Sequence, residues 1–146
     1  MYPRLVIDLK KLKSNLDAVA HITKDQGGCS LMIVTKGLCA DKEMAHMVAE
    51  HPAVDFVADS RVKNISTYAD QVRKNGKMTV LLRIPMHDEV AEVVKYADLS
   101  FNSELSTIRL LDSEAKKAGV CHKILLMIDL GDLREGFWDK DELLEA

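Results

Sequence analysis

Short apolar runs recur along this chain at intervals of about 24 residues, each followed by a segment whose apolar side chains fall three or four apart. Few folds satisfy that alternation. Residues 5–9, 31–35, 54–58, 78–84, 99–101 and 123–129 read as strands. Between them, Leu12, Leu16, Val19 and Ile22 share a helical face that Gly27-Gly28 closes. A second helix opens near Lys42 with Asp41 as N-cap and stops at Pro52. The third is capped by Ser60 and ends at Gly76; the fourth starts after Pro85 on Asp88 and Glu89 and runs through Tyr96. The fifth runs from an N-cap at Ser103 to about Ala118, with Gly119 as its stop, and Asp139 caps a last one. Strands joined by helices must lie parallel, and runs such as LMIV and ILLMI read as strands covered on both faces. An open doubly wound sheet and a closed barrel both fit this order.

Length and composition narrow the classes. Eight such units need roughly 200 residues or more, and this chain has 146, ending on ELLEA without a capping glycine. It is expected to be part of a longer protein whose unpaired last strand leaves apolar surface open, so self-association is expected too. Hydrophobic residues make up 47%, enough for a sizeable core, and the formal net charge of −3 offers no basic surface to nucleic acid. No apolar stretch approaches the roughly 20 residues of a membrane span, and the N-terminus lacks the order of a secretory signal. A cytoplasmic protein is expected. Cys29, Cys39 and Cys121 form no CxxC pair and are expected to be reduced thiols, some of them buried. The five histidines include no HxH or HExxH pair, so no metal is expected, and neither GxGxxG nor a Walker loop is present. Met44 with Met47, and Leu105, Ile108, Leu111 and Ala115, are expected to pack inward, Trp138 to cover the sixth strand, and Lys10, Lys11 and Lys13 to form a solvated face.

Chemistry in parallel α/β folds gathers at the carboxyl ends of the strands. The residues ending the apolar runs here are Asp8, Lys36, Asp59 with Ser60, Arg83, Asn102 with Ser103, and Asp129 leading to Arg134. Singly, each reads as a strand-end polar group or a helix cap, and Asp8, Ser60 and Ser103 are expected to be caps. Lys36 stands apart because it directly follows LMIVT and precedes Gly37. Partial burial there, with Arg83 or Arg134 nearby, would favour the neutral amine that attacks a carbonyl. The same position also suits phosphate binding or pairing with an acid.

The opening YPRLVIDLKKLKSNL, the strand and lysine of IVTKG, and the segment IDLGDLREGF resemble the N-terminal barrel of the fold-type III pyridoxal-phosphate enzymes, the alanine racemase family. ADSRVKN, LLRIPM and DLGDLREG are most similar to its ornithine-racemase-like branch, and the resemblance spans essentially the whole chain. It implies an α/β fold, a parallel (β/α)8 TIM-type barrel of which residues 1–146 form an incomplete N-terminal portion of about six strands. It implies pyridoxal 5′-phosphate as cofactor, bound by Lys36 as a Schiff base, and Arg134 beside the cofactor's phenolic oxygen and the substrate carboxylate. Asp59, Arg83 and Asn102 complete the cofactor-binding candidates on that rim. Ala40 stands where alanine racemases have a tyrosine and Met127 where they have a lysine, departures that point away from alanine as substrate.

The implied activity is amino-acid racemisation, with Lys36 as base on one face of Cα and the opposite-face donor supplied by a partner subunit of a homodimer. Residues 1–146 alone are therefore not expected to racemise efficiently. A non-catalytic pyridoxal-phosphate homeostasis barrel, an amino-acid decarboxylase and a Schiff-base aldolase are the alternatives.

Overall fold

A computed structural model describes residues 2–145. Asp8 opens the first helix: its Oδ1 accepts from the N–H groups of Lys10 (3.0 Å) and Lys11 (3.1 Å), and α1 (Leu9–Ala20) follows, continuing through a π-helical turn, His21–Gln26. The strand expected over residues 5–9 does not form. Residues 2–8 are exposed, with Leu5 and Val6 at 80% and 84%. Among the described residues no neighbouring strand pairs with them, so their amides gain nothing from extension, and the cap draws Leu9 into the helix.

Five strands form instead of about six: β1 (Met32–Val34), β2 (Phe56–Asp59), β3 (Met78–Leu81), β4 (Leu99–Asn102) and β5 (Lys123–Leu126). All are parallel in the order β1-β2-β3-β4-β5. A doubly wound sheet reverses its strand order at a switch point and carries helices on both faces, whereas a barrel wall does neither. Cross-strand partners separate the two faces here. Ile33, Val57 and Leu81 pack into the main hydrophobic core with Val48 of α2 (Lys42–Glu50), Ile65 of α3 (Val62–Ser66), Val72 of α4 (Ala69–Lys74), Val93 of α5 (Val90–Tyr96) and Leu111 of α6 (Leu105–Ala118). Met32, Phe56, Ala58, Met78, Val80, Leu99 and Leu125 alternate with that set and lie outside it. The sheet is thus an arc of barrel wall, with helices outside and an inner face that is closed at its middle and exposed towards its two edges.

That geometry explains the burial of the strands. Ala58 and Val80, paired at the middle of the arc, are fully buried, while Val34 and Leu125 on its two edges are 43% and 41% exposed. The expectation that LMIV and ILLMI are covered on both faces fails for this reason. Each fully buried Val or Leu is worth roughly 1.5–3 kcal/mol, so the helix-covered face carries the fold and the rim is free for other work.

Local chemistry sets the helix boundaries. Asp41 caps α2 through Met44 N, Asp139 caps α7 (Lys140–Glu145) through the N–H groups of Asp141 and Glu142, and Gly119 ends α6 at φ +66°. Ser60 and Ser103 are not caps: Arg61 and Glu104 hold those positions, and it is Asp59 that accepts from Arg61 N (2.9 Å). The single helix expected between residues 60 and 76 breaks at Thr67-Tyr68, where Thr67 Oγ1 bonds back to Asn64 O and the Tyr68 ring turns into the core. The three cysteines are free, as expected, but all exposed. Trp138 is 72% exposed, and its neighbour Phe137 (3%) is the buried aromatic instead. Among the described residues no helix is long and apolar enough to cross a membrane.

Candidate functional site

The five candidate site residues, Lys36, Asp59, Arg83, Asn102 and Arg134, lie at the carboxyl end of this arc, whereas Asp8, read in sequence as a strand end, caps α1 and follows no strand among the described residues. Lys36 is the second residue beyond β1, Asp59 and Asn102 end β2 and β4, Arg83 is two residues past β3, and Arg134 projects from the loop after β5. In a closed eight-stranded wall, strands four apart face one another across the mouth. Lys36 and Arg134, which follow β1 and β5, would take those opposed places if further strands closed this arc.

Lys36 begins a 3₁₀ turn, Lys36–Leu38, with Thr35 already in the right-handed helical region. Thr35 O accepts from the N–H groups of Leu38 and Ala40, both at 3.2 Å, and Cys39 and Ala40 adopt left-handed φ values of 51° and 54°. Two successive non-glycine residues there mark a turn held by its surroundings. Its side chain is exposed rather than partly desolvated, and among the described residues no hydrogen bond or ion pair engages its Nζ.

Beneath that turn lies a buried polar cluster that the sequence did not announce. Thr35 Oγ1 donates to Asp59 Oδ2 at 2.7 Å and stands 3.2 Å from Tyr68 Oη. Asp59 Oδ1 accepts from Arg61 N at 2.9 Å and from Asn64 Nδ2 at 3.1 Å. Asp59 is fully buried, Thr35 and Tyr68 nearly so. Burial pushes the Tyr68 phenol up, with the Asp59 charge adding to it, so the phenol keeps its proton and donates to Thr35. The order of donation is then Tyr68 to Thr35 to Asp59. The one sequence signal was a polar residue, Thr35, closing an otherwise apolar run.

Arg83 is also engaged within the fold. Its Nε donates to Ser60 O (2.7 Å), Nη1 to Ile84 O (3.0 Å) and Nη2 to Glu89 Oε2 (2.9 Å). Burial works against the Glu89 carboxylate, but hydrogen bonds from Arg83 and Met86 N outweigh it and hold the group below its ordinary value. A depressed folded-state value means that ionised Glu89 stabilises the fold above pH 4.5 and that this contribution is lost as pH falls through the folded value. Glu89→Gln is therefore expected to flatten part of the acid limb of a urea-midpoint profile; identical limbs for variant and parent would contradict the assignment.

Asn102 is buried, its Nδ2 donating to Ser100 O and Oγ at 3.0 Å each, while Oδ1 is a buried acceptor without a partner. Arg134 belongs to a loop closed at its base by Phe137 N donating to Met127 O (2.8 Å), Asp129 N to Phe137 O (3.1 Å) and an Ile128–Phe137 bridge. The Asp129 carboxylate accepts from Gly131 N at 2.7 Å, the main reason its pKa lies below the ordinary range. The Arg134 side chain is 77% exposed, with Glu135 4.0 Å away. The rim thus separates Lys36 and Arg134, exposed and available, from Asp59, Arg83 and Asn102, which are bound into the wall.

Residues 7–146 match the family model described as alanine racemase, N-terminal domain. The chain belongs to that family. It is 42% identical over 145 residues to ornithine racemase of Acetoanaerobium sticklandii, covering 99% of this chain and 39% of that protein. It is 31% identical over 140 residues to lysine racemase of Thermotoga maritima, covering 94% and 38%. The chain therefore spans under two-fifths of the length of these relatives. Among solved structures, alanine racemase of Clostridium difficile 630 in complex with cycloserine superposes with a TM-score of 0.63 at 20% identity, over 78% of this chain and 31% of that one. PipY of Synechococcus elongatus PCC7942 with PLP bound gives 0.59 at 21% identity, over 78% and 53%. Both likenesses establish the fold, an arc of the alanine racemase barrel.

Proposed function

We propose that the chain forms part of a pyridoxal-phosphate-dependent amino-acid racemase acting on a basic amino acid, with ornithine the first candidate. The observation that carries this reading is an unengaged primary amine, Lys36 Nζ, on an anchored turn at the carboxyl end of the first strand of the arc, with an exposed guanidinium on the loop after its fifth. The similarity to ornithine and lysine racemases supplies the substrate class.

The residues present fit this cofactor at the two points where it needs protein chemistry. Its aldehyde requires an accessible primary amine, and Lys36 offers one. An amino-acid carboxylate requires a planar cation, which Arg134 supplies in a form suited to two parallel hydrogen bonds. Asp59, Arg83 and Asn102 become wall residues in this reading, because their polar atoms are engaged in or buried under the rim. When bound, pyridoxal phosphate supplies a conjugated electron sink that acidifies the substrate Cα–H. Lys36 would hold the cofactor through its amine, and the same amine would serve as general base toward the Cα proton on one face. Arg134 orients the carboxylate so that the Cα–H bond faces that amine.

A cytoplasmic location accords with three exposed free thiols, and self-association accords with exposed Leu125, Ile128 and Leu130 beside the free edge of β5. The test is product analysis of the full-length enzyme on D- and L-ornithine, lysine, serine and alanine. Inversion of ornithine or lysine is expected. Loss of carbon dioxide, or no turnover of any of the four, would overturn the reading.

A further inference from the structure

We infer that Tyr68, Thr35 and Asp59 form a positioning relay that sets the reactivity of the Lys36 amine from beneath, without touching cofactor or substrate. The inference rests on the reading of Lys36 given above. It moves Asp59 from a cofactor contact to a support of the lysine turn.

Thr35 is covalently adjacent to Lys36 and is the only residue of the turn fixed on both main chain and side chain. Its N–H donates to Ala58 O at 2.9 Å, its O accepts from Leu38 N and Ala40 N, and its hydroxyl joins Asp59 to Tyr68. A hydroxyl has one proton to give. Two acceptors face it, Ala58 O at 3.2 Å and the charged Asp59 Oδ2 at 2.7 Å, and the proton goes to the nearer carboxylate, leaving the Thr35 lone pairs for the Tyr68 phenol. Asp59 is in turn locked by Arg61 N at the N-cap of α3 and by Asn64 Nδ2 within that helix. The turn therefore refers its geometry to β2 and α3 through buried bonds of fixed direction, while the Lys36 side chain remains in solvent. Three side chains hydrogen-bonded in series, all buried, thus lie directly under a turn with two left-handed residues.

Thr35→Val removes the shared hydroxyl at nearly constant shape, Thr35→Ser restores it, and Tyr68→Phe removes only the terminal donor. Two readouts on the folded protein separate positioning from stability. One is the acylation of Lys36 by acetic anhydride relative to Lys42, an exposed lysine on α2, followed by peptide mass spectrometry across pH. The other is the rate of borohydride-trapped capture of pyridoxal phosphate at Lys36. Thr35→Val is expected to change the Lys36 to Lys42 ratio and its pH profile and to slow capture about tenfold, Tyr68→Phe to do so by a smaller factor, and Thr35→Ser to retain parental behaviour. Where Thr35→Val does not fold, Tyr68→Phe decides. Unchanged ratio, profile and capture rate in a folded variant overturn the relay. If the parent captures no cofactor at Lys36 the function proposed above fails, while the acylation ratio still judges the relay.

Discussion

On the function proposed above, Lys36→Ala is expected to lower exchange of the substrate Cα proton with solvent, and racemisation with it, by about 10²–10⁴-fold on the share that a positioned acid–base group contributes, and by more where cofactor capture also fails. The fold survives the change. Lys36 is exposed and unengaged, so its loss should shift stability by no more than about 0.5 kcal/mol, the usual range for such surface substitutions. Activity is followed as the incorporation of deuterium at Cα in deuterated water, and stability as the urea midpoint of the same preparation. A variant that retains exchange at more than a few per cent would contradict the role of this amine. One that unfolds would show that the turn depends on the lysine itself and not on Thr35.

Gly136→Ala is the second large effect, and it acts through the backbone. Gly136 sits at φ +130°, and a Cβ there would lie 2.4 Å from Asp129 N and 2.6 Å from Ile128 C, both main-chain atoms that cannot swing aside. Backbone strain of this kind costs about 1–3 kcal/mol. Relief would require opening the base of the loop and giving up the bonds of Phe137 to Met127 O and Asp129 N. Arg134 then loses its place while Lys36, four strands away, keeps its own. The expected result is a lowered urea midpoint at unchanged slope, a raised KM for the amino acid, and undiminished capture of pyridoxal phosphate. Equal loss of capture and of substrate affinity would mean that the two ends of the arc are not independent.

The sequence disclosed the parallel wall because its signals are periodic and local: apolar runs, Asp41 and Asp139 as caps, Gly119 as a stop. It placed Lys36 and Arg134 at the carboxyl end of the wall because the first closely follows a strand end and the second lies on the loop after one. It misread residues 5–9 because alternating apolar residues resemble a strand whether or not a neighbour is present to pair with them. Ser60 and Ser103 were misread as caps because sequence offers candidates within a residue or two, and Asp59 reached Arg61 N first. Asp59, Arg83 and Asn102 read the same way as Lys36 and Arg134 because polar strand ends look alike in sequence. Only the partners separate them, and Thr35, Ser100 and Glu89 lie 24, 2 and 6 residues away in the chain. The exposure of the inner face towards its edges was likewise invisible, since burial of β5 depends on what stands beside it and not on its own residues.

The most direct test is to incubate the protein with pyridoxal phosphate, reduce with borohydride, digest, and locate the modified lysine by mass spectrometry. The account predicts a single dominant adduct on the peptide carrying Lys36. An adduct distributed over exposed lysines such as Lys42 and Lys63, with Lys36 no richer than they are, would contradict it.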